Sequence, residues 1–322
     1  MMKRFLPAIF VMSMLIVSNG CVKQPYEINE SQTSRIVQTL SSDEMRGRRA
    51  FTPEIDRAAD VIAREFNDIG LTHFGDLESY RQEFSVTEFH ITAATAYVDG
   101  QKLEDGAHFG FVRAGELDWR PGEIETASIE SDDEFNQQFR QHSRSDQNLL
   151  VFVDQEHADI FKRYQAYFHE RHSRVMESGS NASVYFLLSD PSENFDLSVE
   201  AEPNEMSLSN VIGKIDGIRD DEVVLFSAHY DHIGIQNAVE GDSIANGAND
   251  NASGVTAVIE LARYFESLGR PERTLLFVGF TAEEMGGYGS RYFSRQLDPD
   301  HIVAMFNIEM IGKPAVSGPN SA

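Results

Sequence analysis

The sequence predicts an α/β fold: a mostly parallel or mixed sheet with helices on both faces, interrupted by a β-rich or α+β insertion. Three observations carry this prediction. Apolar runs of strand length stand at 210–215, 223–228, 274–281 and 302–308. Between 228 and 274 lies a stretch of helical spacing, with Val255, Val258, Ile259, Ala262, Phe265 and Leu268 on one face and Gly269 as the stop. The resulting order of strand, helix, strand, helix, strand belongs to a sheet covered by helices.

Taken in order, the chain begins with a targeting segment. Met1-Met2-Lys3-Arg4 is basic, residues 5–17 are an apolar run too short to span a bilayer comfortably, and Ser18-Asn19-Gly20-Cys21 follows. The single cysteine of the chain stands where a bacterial lipoprotein signal is cut and lipidated. A plain secretory signal with an incidental cysteine is the competing reading. Either way the expectation is an exported protein, and under the first reading a lipoprotein of the cell envelope anchored at Cys21. Val22 after the cysteine resembles outer-membrane rather than inner-membrane lipoproteins of Gram-negative bacteria.

Residues 22–85 are expected to start the main domain. A helix over 31–40 presents Ile36, Val37 and Leu40. Arg46-Gly47-Arg48 follows, either a charged surface turn or a GR segment of the kind that the relatives named below place before their first long helix. Thr52 then caps a helix that has Pro53 at its first position. Ile55, Ala58, Ala59, Ile62, Phe66 and Ile69 form its apolar face, and Gly70 its stop. Residues 86–205 change character, with short strands expected at 93–98, 149–153 and 184–188 and a helix over 158–172. This stretch is expected to be an insertion. His169 and His172 within it stand three apart without a third ligand in sight, and are read as a surface pair. Residues 206–322 are the core that carries the chemistry. An acidic turn is expected over 217–221, and a short helix over 288–297 precedes the last strand.

The chain has 322 residues, ample for a large core. Its 27 basic and 52 acidic residues give a net charge of −25, which argues against a nucleic-acid partner because phosphates would be repelled. The acidity itself is read as a solvated surface.

Four places on the core supply metal-ligand chemistry: His229, Asp250, the pair Glu283 and Glu284, and Glu309. Each follows an apolar strand or precedes a helix, and in an open α/β sheet the crevice at the strand C-termini is where ligands bind. One imidazole with several carboxylates and no thiolate suits a catalytic zinc site better than a structural one. Asp231, two residues beyond His229, could accept a hydrogen bond from the second ring nitrogen and fix its tautomer. Asp250 could alternatively be a helix N-cap, and Glu283 with Glu284 an acidic pair at a helix start.

The blocks HYDHIG, NDNASG and AEEMGGYGS, in this order and spacing, resemble the co-catalytic di-zinc aminopeptidase family, whose relatives include glutamate carboxypeptidases and glutaminyl cyclases. The resemblance covers about half the chain, over 40–85 and 205–312, and implies a zinc-exopeptidase-like fold; relatives often carry a β-rich insertion where 86–205 stands, sometimes a protease-associated domain. It implies two Zn2+ ions bridged by Asp250. His229 and Glu309 (where Asp is usual) would complete site one, and Glu284 would serve site two. Glu283 would be the general base and Asp231 an outer-sphere catalytic partner, while His232 has no ligand counterpart. The implied reaction is removal of N-terminal residues from peptides through a zinc-activated water. The family's remaining ligand is a downstream histidine, and no histidine follows Glu309. The expectation is therefore a C-terminally truncated member, with site two short of a ligand. Two other readings stay open: an impaired member acting as a binding module, and a single-zinc acyltransferase like the glutaminyl cyclases. Side-chain preference and oligomeric state are not legible.

Overall fold

The computed structural model describes residues 24–169, 173–176 and 181–314. Cys21 and the targeting segment lie outside the described residues, as does His172. Helix α1 (Glu30–Leu40) starts at Asn29, whose side chain accepts the Gln32 amide, and buries Ile36 and Leu40. Helix α2 (Pro53–Ile69) buries the predicted face and ends at Gly70, whose φ of 91° lets its N–H reach the Phe66 and Asn67 carbonyls. Its start differs from expectation. The Thr52 hydroxyl does not cap the helix but donates to the Arg49 carbonyl at 2.7 Å, turning toward the preceding loop.

The main sheet is mixed, as the sequence predicted. Its strands are β1 (Arg81–Val98), β6 (Phe195–Ile215), β7 (Arg219–His229), β8 (Arg273–Phe280) and β9 (Ile302–Asn307). The spatial order is β9-β7-β8-β6-β1, with three short strands added at the β1 and β6 side. β7 is parallel to both β8 and β9, while β6 is antiparallel to β8 and β1. Helix α5 (Ser253–Ser267) makes the crossover from β7 to β8, and helix α6 (Tyr288–Ser294) lies on the way from β8 to β9.

β7 and β8 read as near-continuous apolar runs because both their faces are buried. Phe226, Ala228, Leu275 and Phe277 meet α1, α2 and α5 on one face. Val223, Leu225, Leu276, Val278 and Phe280 meet Phe293 of α6 on the other. On the first side an ion cluster centred on the buried Glu65 ties three helices together. Glu65 of α2 accepts from Arg35 of α1 at 2.7 Å and from Arg263 of α5. β7, β8 and β9 point the same way, so His229, the residues after Phe280 and those after Asn307 gather at one edge.

β1 and β6 are far longer than the short strands expected. They pair antiparallel from Arg81 opposite Val211 to Val98 opposite Phe195, with one irregularity near Thr92. Positions 86 and 205 therefore fall mid-strand, Val86 pairing with Met206. The far part of this ribbon supports a second sheet of β2 (His108–Phe111), β3 (Glu125–Ile129), β4 (Leu149–Val153) and β5 (Val184–Leu188), in the order β2-β5-β4-β3. Leu150, Phe152, Tyr185 and Leu187 pack on the ribbon. Val151, Val153, Phe186 and Leu188 pack under α3 (Phe135–His142) and α4 (Ala158–His169). β3, β4 and β5 are mutually parallel, so this part is itself α/β rather than β-rich.

Two further boundaries shift. The turn between β6 and β7 is tighter than 217–221, since β7 already begins at Arg219. Helix α6 ends at Ser294, not at 297.

Candidate metal centre

The site is built where β7 ends. His229 is 3% exposed, and its Nδ1 lies 3.1 Å from the Asp231 main-chain oxygen. The Asp231 carboxylate, expected to hold this nitrogen, is farther away at 3.7 Å. That fully buried carboxylate is committed elsewhere: Oδ1 accepts the Glu283 amide at 3.0 Å and Oδ2 the Glu284 amide at 3.1 Å. Asp231 thus holds the backbone of the loop that carries both glutamates. The loop bends sharply there, with Ala282 at a φ of 54°.

Asp250 sits in the loop before α5 and is not its cap, because the residue at the cap position is Ala252. Its Oδ1 lies 3.1 Å from His229 Nε2, and its Oδ2 lies 3.9 Å from His232 Nδ1. Asn251 clips this loop to the end of β9. Its side chain donates to the Ile308 carbonyl at 3.0 Å and accepts the amides of Gly254 and Met310 at 3.1 and 3.2 Å. Glu309 is thereby set beside His229, with Oε1 3.8 Å from Nε2, although it remains 46% exposed. Glu284 Oε1 lies 2.9 Å from His232 Nδ1.

Arg48 is the residue that sequence reading left undecided. It is fully buried, and its guanidinium donates to the carbonyls of Tyr230 at 2.9 Å, Asn246 at 2.7 Å, Gly247 at 3.0 Å and also Leu40. Its own carbonyl accepts the His232 amide at 3.2 Å. One side chain thus joins α1, the end of β7 and the Asp250 loop, so the 46–48 segment is no mere surface turn. Nothing in the sequence distinguishes Arg48 from its exposed neighbours Arg46 and Arg49. Gly247, at a φ of 62°, makes the close approach possible, since a Cβ there would stand 2.6 Å from the Arg48 guanidinium and 2.7 Å from the His232 ring.

The electrostatics follow from the crowding. Burial pulls the His229 pKa down, but Asp231, Glu283 and Asp250 outweigh it and push it up to about 9. Burial, joined by the charges of Asp231, Glu284 and Glu309, raises that of Glu283, and His229 opposes. For Arg48, burial lowers the pKa to about 10 against the pull of Asp231 and Asp250, which leaves it charged at neutral pH.

Two triplets of donor atoms result, His229 with Asp250 and Glu309, and His232 with Asp250 and Glu284, each with its atoms within 4.8 Å of one another. They suit zinc, which takes imidazole nitrogen and carboxylate oxygen at about 2.0–2.2 Å. A further observation agrees. His229 Nε2 and Asp250 Oδ1 are buried without a hydrogen-bond partner, near each other but not aligned to bond. Buried polar atoms left so require an explanation, and a cation between them is one.

Residues 210–317 match Peptidase family M28. The family resemblance read from the three motif blocks is borne out over this M28 segment, which contains all six residues singled out from the sequence. A probable zinc metalloprotease of Pyricularia oryzae is 38% identical over 91 residues, 28% of this chain and 18% of that protein. Aminopeptidase YwaD of Bacillus subtilis is 31% identical over 121 residues, 36% of this chain and 24% of its own length. The aligned parts of this chain thus span about a quarter or less of the length of these relatives. Among solved structures, an aminopeptidase from Aneurinibacillus sp. strain AM-1 aligns with a TM-score of 0.45 at 18% identity, over 88% of this chain and 71% of that one. That likeness is too distant to bear on activity.

Proposed function

We propose that this chain is a zinc-dependent exopeptidase of the aminopeptidase type, acting on the N-terminal residues of peptides. The observation that carries the reading is the division of Asp250, whose two oxygens face two different histidine-carboxylate groups. His229, Asp250 and Glu309 would hold one ion, and Asp250 with Glu284 would take part in holding a second. When bound there, zinc supplies a Lewis acid that polarises the scissile carbonyl and acidifies water.

The remaining work falls to the chain's own side chains. Glu283 faces solvent beside the site, and its raised pKa suits a group that takes a proton from water near neutral pH. It accepts the proton of the attacking water and returns it to the leaving amine as the C–N bond breaks, which regenerates the carboxylate. Asp231 keeps Glu283 and Glu284 in place through their amides. The export signal and a lipid anchor at Cys21 belong to the same proposal and place the enzyme in the cell envelope.

The test is release of nitroaniline from a panel of aminoacyl-nitroanilides by the full chain, with and without added zinc. Zinc-dependent release is expected, and Glu283→Gln should lower it by roughly a hundredfold or more, the scale of a lost general base. A folded, zinc-loaded protein that releases nothing from the panel would defeat the aminopeptidase reading. The binding-module and single-zinc acyltransferase alternatives would then stand.

A further inference from the structure

We propose that Asn210 is a positioning residue for the hydrolysis: it pins both ends of the loop that carries Glu283 and Glu284, and so fixes where the general base stands. The inference rests on the exopeptidase reading above. It gives a role to a buried amide on β6 that binds neither metal nor substrate.

The loop leaves β8 at Thr281 and re-enters regular structure in α6. Its tip is held by Asp231 through the amides of Glu283 and Glu284. Its base is held from β6. Asn210 is fully buried, its Oδ1 accepts the Thr281 amide at 3.3 Å and its Nδ2 donates to the Gly289 carbonyl at 2.9 Å. The other Nδ2 proton goes to Gln82 Oε1 at 2.9 Å, on the strand position directly opposite in β1. The Gly289 amide returns to the Thr281 carbonyl at 3.0 Å, so the two ends of the loop bond each other and both bond Asn210. Within the loop, the Gly286 amide donates to the Glu283 carbonyl and the Gly287 amide to the Ala282 carbonyl, each at 2.8 Å.

Asn210 lies in a buried stretch of β6, beside Val211 and Ile212, where an apolar side chain would fill the space without needing partners. An amide is costly there unless it is bonded, and two of its three bonds go to the glutamate loop. Gly289 serves the same closure. A Cβ at that position would stand 2.3 Å from Asn210 Oδ1 and 2.5 Å from the Thr281 carbonyl oxygen. Glu283 follows Thr281 by two residues, so any opening of the base is passed directly to the carboxylate. A displacement of about 1 Å at a reacting group can cost on the order of a hundredfold in rate. Asp231 and Asn210 together supply the rigid support that a preorganised base needs. The competing role for Asn210 is a purely structural one, joining β6 to β1 through Gln82.

Two measurements on the full chain separate these roles: kcat and KM for aminoacyl-nitroanilides at saturating zinc, and hydrogen exchange of the backbone amides from Glu283 to Gly287. Asn210→Leu should lower kcat by roughly tenfold to a hundredfold, with KM within about threefold of the wild type. The same variant should speed exchange at the loop amides. Asn210→Asp keeps the acceptor for the Thr281 amide and should recover part of the lost kcat. Gly289→Ala should reproduce the loss, and it carries the test if a thermal melt shows Asn210→Leu to be unfolded. Gln82→Met is the control. It removes a bond to Asn210 but neither bond to the loop, so it should lower the melting temperature while kcat stays within about threefold. Unaltered kcat or unaltered loop exchange in folded Asn210→Leu, or in Gly289→Ala where that variant carries the test, would overturn the inference while the exopeptidase reading survives. An equal loss of kcat in Gln82→Met would also overturn it, in favour of the structural role. A wild type that releases nothing from the panel would remove the exopeptidase reading and the inference with it.

Discussion

At the scale of single residues, the site is a concentration of buried charge whose members depend on one another. Asp231 illustrates this. Its position two residues from His229 suggested a partner for the ring, yet its carboxylate is spent on the amides of Glu283 and Glu284. Sequence spacing shows which side chains share a strand but not which amide from another strand will arrive opposite. His229 carries a testable consequence. Its pKa is raised in the folded state from an ordinary 6.5 to about 9, burial being outweighed by the surrounding carboxylates. A group raised in this way contributes stability that is fully present below pH 6.5 and lost as pH climbs to about 9. The metal-stripped protein should therefore lose resistance to urea across that window. With zinc the trend should vanish or reverse, because a ligand imidazole must be neutral. Urea melts at several pH values, with and without chelator, check both statements, and a flat profile in the stripped protein would contradict the first.

At the scale of elements, the helices were the easier reading. α2 and α5 show their buried faces as 3.6-residue periods because each packs one side on the sheet. β7 and β8 showed as unbroken apolar runs because helices cover both their faces. The ribbon of β1 and β6 shows in the sequence only as fragments, since much of it is half-exposed and carries acidic and polar residues that interrupt the pattern. Arg48 links three elements that the sequence sets far apart, at Leu40, Tyr230 and Asn246–Gly247. Lysine has the charge but not the planar fork needed to reach four carbonyls. Arg48→Lys should therefore leave buried acceptors unpaired and cost about 2–4 kcal/mol, on the scale of one to three kcal/mol for each lost buried partner with partial relaxation. Denaturant unfolding measures the loss, and zinc affinity should fall with it because the Asp250 loop is one of the elements released. A cost within about 0.5 kcal/mol would place Arg48 among ordinary surface residues.

At the scale of the whole molecule, the described sheet ends at β9, which pairs only with β7 among the described residues. Val303, Met305 and Phe306 on this strand are about half exposed, as are Met310 and Ile311 just beyond it. An apolar edge strand with free backbone groups is prone to pair with another chain. Light scattering per unit mass of protein should rise with concentration, and Val303→Lys with Met305→Lys should suppress this rise without changing zinc content; an equal rise in the double variant would clear this edge. The sequence by itself determined the α/β class, the main helices and the candidate set of His229, Asp231, Asp250, Glu283, Glu284 and Glu309, because periodicity and residue chemistry are local properties. Only the tertiary structure decided that Asp231 holds the glutamate loop, that Arg48 is the buried clamp and that His232 faces Glu284. Those facts depend on which loops meet at the edge of β7, β8 and β9, and pairings between residues tens to hundreds of positions apart leave no periodic mark in the chain.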